Sequence, residues 1–275
     1  MTNNDSNLFS DHPIGIFDSG IGGLTVANAI RNTLPNEQII YFGDTAHLPY
    51  GDKASYSIKH YSTEITKFLL QKKCKIIVIA CHTASSTALE EVREVAADNA
   101  IVIDVVSPVI KLFHDYQDHH KIGVIGTKGT IHSNIYSKKI HEVNEALKVA
   151  SLATPLLCPM IEEGFINDDI SQAVIDNYLT NSELEGIQSI ILACTHYPLI
   201  KKQISKFYSD KIEVLDSAEI TALHVKNVLR ENGLLNDSKK APHHFYVSDY
   251  TKSFEESTRY FFKEEIQLEK GSIWS

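Results

Sequence analysis

Short apolar runs recur along the chain and predict the strands of an α/β fold. Each run is rich in Ile and Val and is apolar at consecutive positions, which is typical of parallel strands covered by helices on both faces. The runs that predict strands span residues 14–17, 38–42, 75–80, 101–106, 121–126, 189–193 and 211–216.

Helical periodicity follows several of these runs. The first helix is predicted to begin near Leu24, and residues 54–70 place apolar side chains three to four positions apart. Residues 87–97 open with Thr-x-x-Glu, which predicts a capping box at the start of a further helix. The alternation of strands and helices favours the α/β class.

The chain also contains two loosely repeated halves. IGIFDSGIGG begins at residue 14 and IGVIGTKGTI at residue 122. Other similarities recur at about the same offset, roughly 110 residues. We therefore expect two pseudo-symmetric α/β subdomains with mostly parallel sheets and an active-site cleft between them, beyond the carboxyl ends of the strands.

The repeat also suggests where the subdomains divide. Residues 1–107, rejoined by 217–275, are expected to form the first subdomain, and residues 108–216 the second. The crossing segments near 102–108 and 213–217 are the expected hinge.

Composition narrows the functional classes. The chain has 275 residues, 43% of them hydrophobic, and a net charge of −9. No basic face is evident, so neither nucleic acid nor a membrane surface is an expected partner. The polar start, MTNNDSNLFSDH, is unlike a signal peptide, and a cytoplasmic location with reduced cysteines is expected.

Two cysteines stand at the ends of predicted strands, each beside threonine and histidine. IACHTAS contains Cys81, and LACTHYPL contains Cys194. A helix N-terminus just beyond a strand end favours the thiolate form of such a cysteine. Cys74 and Cys158 lack this context and are predicted to be packing residues.

Three kinds of site compete for this pair. Two thiols and two imidazoles are the ligands of a zinc site, but adjacent Cys-His and the lack of a CxxC motif argue against it. A single nucleophilic cysteine with a histidine base leaves the second cysteine unexplained. Two acid/base thiols on opposite faces of one carbon invert its stereochemistry, and that chemistry uses both.

Glycine-rich segments predict contacts to an anionic ligand. Asp18 and Ser19 precede Gly20, Gly22 and Gly23 at a strand-to-helix turn whose N–H groups suit an anion. A nucleotide is the rival ligand, but GxGxxG is absent; a substrate carboxylate suits the turn, and a purely local turn is a further alternative.

Three other segments are candidates for the same cleft. The loop GDTAHLPYG, 43–51, places a hydroxyl at Tyr50 and an amide at Gly51 over a ligand, unless it is an ordinary loop. GTKGTIHS, 126–133, offers the hydroxyls of Thr127 and Thr130 to a second anionic group. The acidic pair in PMIEEGF, 159–165, is either functional or an exposed turn.

These motifs together resemble a known family. FDSGIGGLTV, GDTAHLPYG, IACHTAS, GTKGTI and LACTHYPL occur in this order and closely resemble glutamate racemases, of the aspartate/glutamate racemase superfamily, over residues 13–217. The resemblance implies a cofactor-independent two-base racemase that binds glutamate, needs no pyridoxal phosphate or metal, supplies D-glutamate for peptidoglycan and forms a homodimer.

The resemblance also implies roles for individual residues. Cys81 would act on the α-proton of D-glutamate and Cys194 on that of L-glutamate, with Asp18, His196 and Glu162 assisting. The implied substrate-binding residues are Asp18, Ser19, Tyr50, Gly51, His82, Thr83, Thr130, Thr195 and His196.

One position departs from the family pattern. Many members have Asn directly after the first cysteine, where this chain has His82. Because an imidazole gains a charge when protonated, we expect His82 to make activity more sensitive to mild acid. Two other functions remain open: another racemase of the superfamily, such as an aspartate racemase, and a non-catalytic amino-acid-binding protein.

Overall fold

The computed structural model describes residues 8–117, 119–237 and 241–274, so residues 1–7 of the polar N-terminal segment lie outside it. The strands are β1 (Ile14–Asp18), β2 (Ile39–Gly43), β3 (Ile76–Ile79), β4 (Ile101–Asp104), β5 (Lys121–Gly126), β6 (Lys148–Ala153), β7 (Ser189–Ala193), β8 (Glu213–Asp216), β9 (His244–Val247) and β10 (Leu268–Lys270).

The strands form a six-stranded and a four-stranded sheet, and four strands follow the same order in both. The first is β10-β9-β2-β1-β3-β4 and the second is β6-β5-β7-β8. All strand pairs within the described residues are parallel. The order β2-β1-β3-β4 is repeated as β6-β5-β7-β8, which confirms the predicted α/β class with two pseudo-symmetric, parallel halves.

Helices connect and cover the strands. They are α1 (Leu24–Thr33), α2 (Ser55–Gln71), α3 (His82–Thr87), α4 (Leu89–Ala96), α5 (Ser107–Lys111), α6 (Lys128–His132), α7 (Ile135–Val143), α8 (Leu157–Glu162), α9 (Asp169–Leu179), α10 (Lys201–Phe207), α11 (Ser217–Glu231) and α12 (Lys252–Phe262). No helix in the described part of the chain is long and apolar enough to cross a membrane.

Burial explains why the apolar runs became strands. Every residue of β1, β2, β3 and β7 is buried, because helices pack on both faces of each sheet. Helix α1 contributes Leu24, Ala27 and Ile30, all fully buried, and packs against α11 and α12. The central strands are thereby fixed, and their carboxyl ends have defined positions.

One expectation about local structure was wrong, and two strands are each two residues shorter at one end than predicted. Thr87 ends α3 instead of capping a helix, since the chain is already helical from His82, and Ala88 precedes α4 without a side-chain cap. The fourth strand ends at Asp104, because its carboxylate accepts the N–H groups of Val106 and Ser107 at 2.8 Å and turns the chain. The last predicted run, 211–216, begins its strand only at Glu213.

Candidate active site

A cavity of about 280 Å³ lies where loops from the carboxyl ends of both sheets meet. Its wall brings together most of the predicted site residues, although they come from distant parts of the sequence. The predicted residues on the wall are Ser19, Tyr50, Gly51, Cys81, His82, Thr83, Glu162, Cys194, Thr195 and His196. Asp18 and Thr130 are not on the wall.

Cys81 follows β3 and is the N-cap residue of α3. Its sulfur accepts the N–H of Ala84 at 3.4 Å and lies 3.7 Å from the Ser19 hydroxyl. Burial, followed by the nearby charge of Asp18, raises the pKa of the Cys81 thiol to about 12, although the Ala84 N–H opposes this. The predicted strand-end position is confirmed, but the predicted preference for the thiolate is wrong, because burial outweighs the helix N-terminus.

Cys194 occupies the equivalent position after β7. Burial and the adjacent Cys158 thiol raise the pKa of Cys194 well above its usual value, and His196 opposes the shift. The Cys194 sulfur lies 3.7 Å from Nδ1 of His196. Burial therefore favours the neutral thiol at both paired cysteines.

His196 is held from its other side by Glu162. Nε2 of His196 lies 2.8 Å from Oε1 of Glu162, at the end of α8. Burial disfavours a charged imidazole, but Cys194 and Glu162 together raise the pKa of His196 well above its usual value. The acidic pair at 162–163 is thus not merely an exposed turn, since Glu162 orients the histidine next to Cys194.

Asp18 lies behind the wall and is fully buried. Its Oδ2 accepts the N–H of Gly20 at 3.0 Å, while Oδ1 has no hydrogen-bond partner in the described part of the chain. Burial raises the pKa of Asp18, although the charge of His196 opposes this. Asp18 is therefore a buried carboxyl close enough to Cys81 to affect that thiol.

The glycine turn serves close packing. A Cβ atom at Gly22 would lie 2.4 Å from Cε1 of His196, and one at Gly23 would lie 2.5 Å from Cβ of Asp18. The N–H groups of Gly20, Leu24 and Thr25 donate within the turn itself. The turn thus brings the first half of the molecule against His196 of the second, and these three N–H groups are not free for an anion.

Tyr50 lies on the wall, but its hydroxyl is already used. It donates to Oδ2 of Asp44 at 2.7 Å, and Oδ1 of Asp44 accepts from Ser248 at 2.8 Å and Trp274 at 3.1 Å. The Tyr50 proton is thus directed to Asp44, and contact of the hydroxyl oxygen with a ligand stays a prediction. Tyr50 and Gly51 both line the cavity.

Three threonine hydroxyls cluster beside the cavity. Thr83 lies 2.9 Å from Thr127 and 3.2 Å from Thr130, and Thr127 lies 3.1 Å from Thr130. Thr83 and Thr127 are on the wall, whereas Thr130 is buried behind them. Of the two hydroxyls predicted to reach an anionic group, that of Thr127 belongs to a residue on the wall, whereas Thr130 contacts Thr83 and Thr127 from behind.

His82 is on the wall yet almost inaccessible. Neither ring nitrogen has a hydrogen-bond partner among the described residues. Burial lowers the pKa of His82 to about 3. The imidazole therefore stays neutral in mild acid, and the expectation that its protonation makes activity acid-sensitive was wrong.

Cys158 is the site residue that sequence reasoning missed. It was predicted to be a packing residue, but its sulfur lies 3.2 Å from that of Cys194 on the cavity wall. A signal was present in the sequence. Cys158 precedes Glu162 by one helical turn, and side chains four apart on a helix share a face.

Comparison with known proteins agrees with this arrangement. The family model described as Asp/Glu/Hydantoin racemase matches residues 24–225. The glutamate racemase of Chlorobaculum parvum is 43% identical over 260 residues, covering 94% of this chain and 95% of that protein. The glutamate racemase of Geobacter metallireducens is 40% identical over 242 residues, covering 88% and 89%.

A solved structure extends the likeness to the fold. The crystal structure of glutamate racemase from Francisella tularensis in complex with D-glutamate matches with a TM-score of 0.90 at 39% identity, covering 96% of this chain and 99% of that one. Two parallel α/β halves with a thiol at equivalent strand ends define the class as a racemase fold. The chain belongs to the Asp/Glu/Hydantoin racemase family.

Proposed function

We propose that this protein is a glutamate racemase that interconverts L- and D-glutamate with two cysteine acid/base groups and no cofactor. The observation that carries the proposal is the pairing of Cys81 and Cys194. Each thiol follows the equivalent strand of its sheet, and both lie on the wall of one cavity. The glutamate racemases that resemble the chain over most of its length support glutamate as the substrate.

The reaction needs one thiolate and one thiol. The Cys81 thiolate removes the α-proton of D-glutamate and becomes a thiol, leaving the electron pair on Cα. The Cys194 thiol then gives its proton to the opposite face of Cα and becomes a thiolate. L-glutamate results, and the reverse reaction exchanges the two roles.

The substrate itself helps to prepare this state. Burial favours the neutral form of both thiols. The ammonium group of glutamate lowers the pKa of a thiol that it approaches, while the two carboxylates raise it, so the reactive thiolate forms where the ammonium is the nearer charge. Formation of the reactive thiolate is therefore coupled to substrate binding.

The neighbouring polar groups stabilise charge and fix geometry. Ser19, Thr83 and Thr195 line the cavity, and hydroxyls that donate to the substrate carboxylates would stabilise the carbanion-like transition state. His196, held by Glu162, acts beside Cys194, and the buried carboxyl of Asp18 acts beside Cys81.

The proposal also covers the subdomains, the biological role and the oligomeric state. We propose that residues 1–107 with 217–275, and residues 108–216, are the two subdomains, with a hinge near 102–108 and 213–217. D-glutamate made here would supply peptidoglycan synthesis in the cytoplasm, and the enzyme would be a homodimer. Support for location, pathway and dimer comes from the family resemblance.

Single cysteine variants test the function. L-glutamate is followed by polarimetry with a chelator present and no pyridoxal phosphate. Cys81→Ala and Cys194→Ala should each lose at least about 10²- to 10⁴-fold in racemisation, the range that acid–base groups contribute. Cys74→Ala, which removes a buried thiol far from the cavity wall, is the matched control and should retain turnover.

Other outcomes would overturn the proposal in distinct ways. Ordinary turnover by Cys194→Ala would contradict the two-base assignment. Racemisation of L-aspartate in place of L-glutamate would retain the chemistry and reject the substrate. Glutamate binding without any loss of optical rotation by the unmodified protein would indicate a binding protein.

A further inference from the structure

We propose that Cys158, Cys194 and His196 form an inhibitory binding site for Zn²⁺. The ligand atoms, two Sγ and Nδ1 of His196, all lie within 4.8 Å of one another. Among the described residues, this is the one group of three or more Cys, His, Asp or Glu side chains with that geometry. The site goes beyond the proposed function, since the racemase chemistry uses no metal.

Two of the three distances between ligand atoms are close to those around a tetrahedral ion, and the third is within 4.8 Å. Zn–S bonds of about 2.3 Å and Zn–N bonds of about 2.0 Å put tetrahedral ligand atoms roughly 3.6–3.8 Å apart. Cys194 Sγ and His196 Nδ1 are 3.7 Å apart, which already fits. The sulfurs of Cys158 and Cys194 are 3.2 Å apart and must separate by about half an ångström.

The histidine is oriented as a metal ligand. Glu162 Oε1 lies 2.8 Å from Nε2 of His196, so Nε2–H donates to the carboxylate and Nδ1 faces the two sulfurs. A carboxylate behind the distal nitrogen of a metal-binding histidine fixes the tautomer and raises its basicity. Glu162 would therefore complete a carboxylate–histidine–metal arrangement. Its contact with His196 is already present without an ion.

The cavity supplies the entrance and the fourth ligand. Cys158, Cys194 and His196 all lie on its wall. Three protein ligands with one open position are typical of zinc sites that also bind water or a small molecule. The fourth ligand here would be water or a donor group of an amino acid in the cavity.

Metal binding at this point stops the proposed reaction. Zinc binds the thiolates and the neutral imidazole, so the two thiols and the charged His196 imidazole lose their protons to solvent when the ion enters, and affinity rises with pH. A metal-bound Cys194 sulfur can neither take nor deliver the α-proton. Because each direction of racemisation uses both paired cysteines, both directions are inhibited.

Two readouts test the site on the purified, reduced protein. In one, racemisation is measured against free Zn²⁺, and each variant is normalised to its own metal-free rate. In the other, Co²⁺ replaces zinc, and the thiolate-to-cobalt charge-transfer band reports sulfur ligation whether or not the protein racemises glutamate. Failure of the proposed function thus leaves the second readout intact.

The variants separate this site from the other cysteines. Cys158→Ala should weaken Zn²⁺ inhibition and Co²⁺ binding by at least about tenfold, and Glu162→Gln should weaken Co²⁺ binding by about 10- to 100-fold. Cys74→Ala should match the unmodified protein. Cys81→Ala, although inactive as a racemase, should keep the full cobalt band.

Three outcomes would overturn the assignment. The first is a cobalt band unchanged in Cys158→Ala. The second is a band lost in Cys81→Ala, which would place the metal on the other thiol. The third is inactivation that resists a chelator but is reversed by a thiol reductant, which would indicate a Cys158–Cys194 disulfide instead.

Discussion

Burial governs the protonation of the groups around the cavity. Cys81 and Cys194 retain 6% and 5% exposure, and His82 retains 2%, so burial shifts the pKa of each toward its uncharged form. His196 differs, because Cys194 and Glu162 contact both of its ring nitrogens and favour its charged form. The two buried histidines differ in their neighbours. Contacts with Cys194 and Glu162 raise the pKa of His196, whereas burial alone lowers that of His82.

The first prediction concerns His82. Since burial lowers the pKa of His82 to about 3, its imidazole is neutral throughout mild acid. Profiles of kcat/KM against pH for the unmodified protein and His82→Asn should therefore have the same shape from about pH 5 to about pH 7. An inflection near pH 6 that disappears in His82→Asn would contradict this.

The same burial predicts an effect on stability. The unfolded chain protonates His82 near its ordinary pKa of 6.5, whereas the folded chain resists protonation until about 3. The unfolded state binds more protons in this window, so the contribution of His82 to stability is lost as pH falls below 6.5. Urea unfolding at several pH values should show a smaller decline for His82→Asn.

Strands that are fully buried were predictable from the sequence, whereas three of the partly exposed strands were not. β1, β3, β5 and β7 are continuous apolar runs and were predicted within a residue or two of their observed bounds. β6 was missed, because KVASLA has one buried residue and no clear apolar pattern. The short strands β9 and β10 were missed for similar reasons, since their positions alternate or are largely exposed.

Site residues were predictable where the residues of a motif are adjacent in the sequence. Cys81 and Cys194 each stand out beside Thr and His at a strand end. The contacts that set their properties are not local: Cys158 is 36 positions from Cys194. The glycine turn was predicted to offer N–H groups to an anion. In the structure, the absence of a side chain at Gly22 lets His196 and Thr195 of the second half pack against it.

Substitutions in the glycine turn test whether close packing at Gly22 positions His196. In Gly22→Ala the new methyl group overlaps His196 and Thr195, so His196 is displaced from Cys194. A displacement of about 1 Å in an active site can cost about 10²-fold, and we expect kcat to fall by that order. In Gly20→Ala the added Cβ would meet only Leu48 at 3.6 Å, and the loss should be smaller. Equal kcat values for the two variants would contradict the packing role.

At the scale of the molecule, distant segments are tied to the first sheet by a buried ion pair. Lys75 is fully buried, and its ammonium contacts Glu37 at 2.6 Å and the carbonyl of Leu234 at 2.9 Å. Glu37 also accepts the N–H of Asn236 at 2.9 Å. The segment after α11 is thereby attached to the start of β3, so the chain's last part rejoins its first.

Lys75→Met tests this attachment. The substitution leaves the Glu37 carboxylate buried without its cation, and unfolding free energy should fall by about 3–5 kcal/mol. Lys67→Met removes the exposed pair with Glu64 and should cost less than about 1 kcal/mol. Denaturant unfolding measures both; a Lys75→Met loss no larger than the Lys67→Met loss would contradict a structural role for the pair.

The repeated strand order accounts for the central chemical claim. Because β3 and β7 hold the same place in the two sheets, their carboxyl ends present Cys81 and Cys194 to one cavity. The proposed two-base racemisation uses such an arrangement, with each thiol serving as base in one direction and as acid in the other.

Deuterium incorporation tests that claim most directly. L-glutamate is given to the enzyme in D2O with a chelator, and both enantiomers are isolated below about a tenth of full conversion. With two bases, the D-glutamate formed carries deuterium at Cα, delivered from the exchanged Cys81 thiol, while the remaining L-glutamate keeps its proton. D-glutamate that retains the original α-proton would show that a single group moves it, and would contradict the account.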